Sequence, residues 1–142
     1  MSSFAFARIS ETLQVCEQRY GAPIKSANDS ATFRKGGFLI VITFFEGKAD
    51  SILYTKTEKN VLNKSAEISA NEIQQLLKLN GGEREWKKSG GISMDREWDT
   101  EDGELFAFYK TLDNYLAVGT KGFSDRAKAR KKAKENKGLD GF

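Results

Sequence analysis

Eight consecutive residues, Phe38 to Phe45 (FLIVITFF), are uncharged, apolar on both alternating faces of an extended chain and rich in β-branched side chains. Such a run reads as a central strand with a neighbour on each edge. Its flanks supply both neighbours. Ala31-Thr32-Phe33-Arg34 is a short strand followed by a Lys35-Gly36-Gly37 turn, and Glu46-Gly47-Lys48-Ala49 is a turn into a third strand, Ser51 to Lys56. The local order is therefore an antiparallel meander.

A helix precedes it. Ile9, Leu13, Cys16 and Tyr20 recur at helical spacing, Ser10 is placed to cap, and Gly21 and Pro23 stop the helix. The same order then restarts. Ser69-Ala70-Asn71-Glu72 has the form of a capping box, Ile73, Leu76 and Leu77 share one face behind it, and Asn80-Gly81-Gly82 ends the helix. Residues 83–94, with Trp86 and Gly90-Gly91, read as a loop. Arg96-Glu97-Trp98, Leu105 to Thr111 and Tyr115 to Thr120 are strands, the last two joined at Asp113-Asn114.

These elements predict an α+β fold: duplicated α-β-β-β units at 9–57 and 68–121, forming one mostly antiparallel sheet of five or six strands with helices on one face. Residues 9–122 are one α+β domain and 123–142 a basic helical tail, with the helix over Ser124 to Lys137. Residues 1–8 are either a disordered start or the remnant of an export signal, because Ala5-Phe6-Ala7 has the small-x-small form of a cleavage site. The expected location is periplasmic or secreted if a signal lies upstream, and otherwise cytoplasmic. Leu139 and Phe142 could anchor the chain end.

Two stretches carry a resemblance. Thr12-Leu13-Gln14-Val15 running to Tyr20-Gly21-Ala22-Pro23, and Ile42 to Lys48 with Ile52-Leu53-Tyr54, are similar to the helix and Gly-Lys hairpin of small exported bacterial domains. The chain resembles the superfamily of the β-lactamase inhibitor protein and the small outer-membrane-assembly lipoproteins, mainly over residues 10–57 with an echo in 68–121. The resemblance implies a repeated helix-plus-hairpin unit, one sheet with helices on one side, and binding rather than catalysis. The lipid-acceptor cysteine of the lipoproteins has no counterpart, since Cys16 lies within a helix.

Composition narrows the chemistry. The 142 residues contain no histidine and one cysteine. Ser-His-Asp, Cys-His and HExxH arrangements, an intramolecular disulfide and a CxxC zinc site are all excluded. No GxGxxG or GxxxxGK[ST] follows a strand, so the glycine pairs read as turns. No cofactor, resident metal or catalytic residue is expected, and an enzyme using carboxylates or Tyr and Lys ranks last. The acidic run Asp95, Glu97, Asp99, Glu101, Asp102 and Glu104 reads as a solvated edge strand or, against the calcium-loop spacing, a Ca²⁺ site.

Side-chain alternation locates the candidate surface. With Asp113-Asn114 as a two-residue turn, Leu105, Ala107, Tyr109, Leu116 and Val118 share the face that packs on helices, and Phe106, Phe108, Lys110 and Tyr115 share the other. A Gly47-Lys48 turn divides the first hairpin similarly: Phe38, Ile40, Ile42 and Phe44 lie with Leu53, opposite Val41, Phe45, Ile52, Tyr54 and Lys56. Two helices cover one face. The other exposes its aromatics unless the Trp86 loop or the C-terminal helix lies on it, and exposed aromatics beside lysines suit a protein interface. The expected partner-binding residues are Phe45, Tyr54, Lys56, Phe106, Phe108, Lys110 and Tyr115, and the partner an unknown protein or a second copy of the chain.

Charge supplies the alternative. Residues 121–142 hold eight Lys/Arg against three Asp/Glu, a net +5, so the whole-chain +3 leaves −2 on residues 1–120. Arg126, Lys128, Arg130, Lys131, Lys132 and Lys134 are the candidates for non-specific phosphate contacts with nucleic acid, or are simply a solvated helix.

Overall fold

The computed structural model of the chain describes residues 8–90 and 95–137. A first helix, α1 (Leu13–Tyr20), leads into β1 (Lys25–Ser26), β2 (Ser30–Lys35), β3 (Phe38–Phe45) and β4 (Lys48–Lys56). A second, α2 (Ala70–Gly81), leads into β5 (Trp86–Ser89), β6 (Arg96–Thr100), β7 (Leu105–Lys110) and β8 (Tyr115–Thr120), and α3 (Lys121–Lys137) follows directly. All eight strands form one antiparallel sheet in the order β1-β2-β3-β4-β8-β7-β6-β5. The chain is thus α+β, with a helix and a four-stranded meander occurring twice and the meanders joined along β4 and β8. The Ala5-Phe6-Ala7 pattern and the Leu139 and Phe142 anchor lie outside the described residues. No helix among the described residues is long and apolar enough to cross a membrane.

The sheet is larger than expected because each unit has four strands rather than three. The additions are its two edges. β1 is two exposed residues, and β5 reads Trp-Lys-Lys-Ser, with one apolar side chain and no alternation to announce a strand. Lysines on an outer strand discourage pairing with another chain. β5 also displaces the acidic strand β6 from the edge.

α2 forms where its capping box places it: Ser69 Oγ accepts from the Glu72 amide (3.1 Å) and Glu72 Oε1 accepts from the Ser69 amide (2.9 Å). α1 is shorter than predicted. Thr12, not Ser10, caps it, since Ser10 sits at φ 73 and donates its amide to the Ala49 carbonyl (2.8 Å). Gly21 ends the helix at φ 82, a conformation that favours glycine.

On one sheet face α1 buries Cys16 and α2 buries Ile73, Leu76 and Leu77, whereas Leu13, expected on the apolar stripe of α1, is exposed. Cys16, Ile73, Leu76 and Leu77 pack in a single core with Phe33, Ile40, Ile42, Ile52, Tyr54, Tyr109, Leu116 and Val118. Trp86 on β5 donates its indole N–H to the Leu77 carbonyl (2.7 Å), fixing the edge strand to α2. A Cβ on Gly81 would collide with that indole nitrogen, so this approach requires glycine.

Burial pushes the Cys16 thiol up from 9.0 to about 11, with nearby Glu11 adding to the effect, and burial also raises Tyr20 and Tyr54. Below pH 9 both folded and unfolded chains hold the thiol proton, and the full stability is present. Between 9.0 and about 11 the unfolded chain releases it first, so stability falls as pH rises. The thermal midpoint should decline across this window, and Cys16→Ala should shallow the decline. A midpoint flat from neutral pH to pH 11 would contradict it.

The hairpins carry the decisive detail. Glu46 and Gly47 form a two-residue turn, both at positive φ (52 and 79), which pairs Phe45 with Lys48 and Phe44 with Ala49. The next pair is Thr43 with Ser51, so Asp50 is an extra residue in β4, a β-bulge. One added residue reverses the side-chain parity of everything after it. Ile52 and Tyr54 therefore join Ile42 and Ile40 on the helix-covered face, and Leu53 moves to the other side, the reverse of the predicted division. In the second hairpin Lys110 pairs with Tyr115 across a four-residue loop rather than a two-residue turn. That slip is two residues, and the predicted faces stand.

Candidate functional site

The sheet face away from α1 and α2 is built by the residues that alternate with the core. β3 presents Val41 and Thr43, β4 presents Ser51 and Leu53, β8 presents Tyr115 and Ala117, and β7 presents Phe106 and Phe108. With Phe123 of α3 they line an open trough of about 450 Å³. Its aromatic rings form a ladder. Phe106 stacks on Phe108 (centroids 6.2 Å apart, planes 8° apart), Phe123 lies on Phe106 (6.5 Å), and Tyr115 meets Phe108 edge-on (5.9 Å).

Of the predicted partner-binding residues, Phe45, Phe106, Phe108, Lys110 and Tyr115 lie on this side of the sheet. Tyr54 and Lys56 do not, because the Asp50 bulge turns both toward the helices. Tyr54 is fully buried, its hydroxyl accepting from Asn80 Nδ2 (3.0 Å). Lys56 is 2.6 Å from Glu72 of α2 and lies over the Phe38 ring. Partial burial acts to raise the Glu72 carboxyl, but hydrogen bonds from Lys56 and Ser69 outweigh it and hold the group below its ordinary value. Lys110 pairs with Asp95 at 3.4 Å.

Val41, Leu53, Ala117 and Phe123 belong to the face although none was expected there as a binding residue. The signal for Phe123 was present: it precedes Arg126 by three residues, the spacing that puts two side chains on one helix face.

α3 covers only one end of this face. Its start is held by Asp50, whose carboxylate accepts from the Thr120 hydroxyl (2.6 Å) and from the Arg126 guanidinium. Thr120 Oγ1 in turn accepts from the Phe123 amide (3.0 Å), satisfying a donor at the helix start. Arg126 also lies over Phe45, 3.6 Å from the ring centre. The helix thus begins at Lys121, before the predicted Ser124.

Gly119 leaves room for the ladder, since a Cβ there would sit 2.7 Å from Phe106 Cζ. Gly119→Ala should displace the Phe106 ring and break its stacking on Phe108, at a cost of about 1–3 kcal/mol. Ring proton shifts of Phe106 and Phe108 that stayed at their wild-type positions would contradict this.

From Lys128 to Lys137 every residue of α3 is exposed. Arg126 therefore leaves the set of cations open to nucleic acid, because Asp50 and Phe45 engage it, whereas Lys128, Arg130, Lys131, Lys132 and Lys134 stay on the exposed part. The acidic run disperses. Asp95 faces Lys110, Glu101 faces Lys87 (3.0 Å), and Asp102 accepts from Thr100 Oγ1 (2.7 Å) and from Arg84 (2.8 Å). The Thr100 hydroxyl, then the Glu104 amide and Arg84, keep the Asp102 carboxyl below its ordinary value. Among the described residues no three of these groups converge as metal ligands. Comparison of the chain with protein-family models, with curated proteins and with solved structures gave no match.

Proposed function

We propose that this chain is a non-catalytic protein-interaction module that binds through the open aromatic face of its sheet. One observation carries this reading: four stacked or edge-on rings, Phe123, Phe106, Phe108 and Tyr115, lie beside Val41 and Leu53 on the face that neither α1 nor α2 covers. A contiguous apolar face of this kind usually marks association, and aromatic anchors supply much of the energy of such contacts. The resemblance to a superfamily of binding domains points the same way.

The test is a photo-crosslinking side chain placed at Phe108, with one at the exposed Gln74 of α2 as control. A polypeptide adduct at 108 and none at 74 is the expected result. Equal labelling at both positions, or none at 108, would refute the assignment of the face.

A second reading rests on a different observation, the exposure of Lys128, Arg130, Lys131, Lys132 and Lys134 along α3. Five phosphate contacts on a duplex would give a log–log salt slope of about −4.5. An affinity for DNA that survived from low to moderate salt would rule out this phosphate-based binding.

A further inference from the structure

The aromatic face has a charged border. Glu97 lies directly across from Phe108, and Asp99 across from Phe106, so both acids stand on the open side of β6. Both are exposed, and among the described residues neither has an ion-pair partner, whereas Asp95, Glu101 and Asp102 each have one. The root of α3 lies beside them: Ser124 lines one groove with Glu97, Asp99, Phe106 and Phe108.

The same chain carries the complementary charge. Beyond its clamp at Asp50, α3 continues through Lys128, Arg130, Lys131, Lys132 and Lys134, all exposed and all without an ion-pair partner among the described residues. Ten residues of helix extend ~15 Å. That length spans the two acids, whose Cα atoms lie ~7 Å apart at alternate positions of one strand. A nucleic acid on this face would bring its phosphates against Glu97 and Asp99, which is unfavourable. A cationic helix meets those acids favourably.

We propose that the occupant of the aromatic face is a second copy of this chain, with the exposed basic half of each α3 lying against Glu97 and Asp99 of the other copy. The inference rests on the interface reading above and names its partner. A two-fold arrangement makes the contact reciprocal, so each copy gives one helix and receives one, and the assembly closes as a dimer. The apolar ladder supplies contact area, and the charge pairs set the orientation.

The experiment is sedimentation equilibrium of the full chain at low salt and at ~1 M salt, where the Debye length falls to ~3 Å. Wild type is compared with Glu97→Lys/Asp99→Lys, with Lys131→Glu/Lys132→Glu, and with all four changes together. These positions are exposed, and circular dichroism is used to check that each variant is folded. The expected result is a wild-type dimer weakened by salt, weakened roughly tenfold or more by either pair of reversals, and restored in the fourfold variant.

A wild-type monomer at sub-millimolar concentration overturns the proposal. So does a dimer indifferent to both reversals, or a fourfold variant no stronger than either pair. Association seen only with an added oligonucleotide also overturns it and assigns α3 to phosphate. A monomer that still yields a foreign polypeptide adduct at position 108 defeats the second-copy inference alone. A monomer with no adduct at 108 defeats the interface reading as well.

Discussion

Deleting Asp50 should leave a cooperatively folded chain with Ile52 and Tyr54 still in the core, and both this deletion and Asp50→Ala should lose the anchorage of α3. Asp50 is the unpaired residue between the pairs Phe44–Ala49 and Thr43–Ser51. Its removal turns the bulge into a regular ladder in which Thr43 still meets Ser51, Ile42 still meets Ile52 and Ile40 still meets Tyr54. Either variant removes the acceptor of Thr120 and Arg126, a loss of about 1–3 kcal/mol. Thermal melts by circular dichroism measure that loss. A deletion variant with no cooperative transition would show that β4 depends on the bulge itself and not on the pairs beyond it.

Asn80→Ala is expected to be the most damaging single polar substitution in the core. Asn80 is buried at the end of α2 and joins three parts of the fold. Its Nδ2 donates to Tyr54 Oη (3.0 Å) and to the Leu76 carbonyl (2.9 Å), and its Oδ1 accepts from the Ile9 amide (3.1 Å). Alanine leaves the Ile9 amide and the Tyr54 hydroxyl without these partners, a cost of about 2–4 kcal/mol. Tyr54→Phe removes one of the three bonds and should cost about 1 kcal/mol. Because the two residues share a hydrogen bond, the double variant should lose less than the sum of the single losses. Additivity in chemical denaturation would sink this account of the junction.

What the residues reveal in advance depends on how parity is fixed. Phe38–Phe45 and the Ser69–Glu72 box announce themselves because each is a strong local pattern that tertiary packing then reinforces. The β7–β8 hairpin tolerates a two-residue error in its turn, since side chains return to the same face every second residue, and so Phe106, Phe108 and Tyr115 are placed correctly. β4 tolerates no such error. Its bulge carries neither Gly nor Pro, and the only local hint is a charged residue, Asp50, buried within an apolar strand. That single position moves Tyr54 and Lys56 from the candidate surface to the helix side. Arg126 illustrates a different limit. Counting charges along α3 measures its net sign but not which cations the body already engages.

The seam between β4 and β8 has a consequence for how the chain could be divided. Each meander carries its own helix, and the backbone passes between them once, through the largely exposed segment 57–69, where Asn60 closes a small turn on Leu62 and Lys64. A cut at Val61-Leu62, both strongly exposed, severs no strand and no helix. The two fragments would keep complementary halves of one core, with Tyr54 on the first piece and Asn80 on the second. The fold is therefore suited to reconstitution from two separately produced polypeptides.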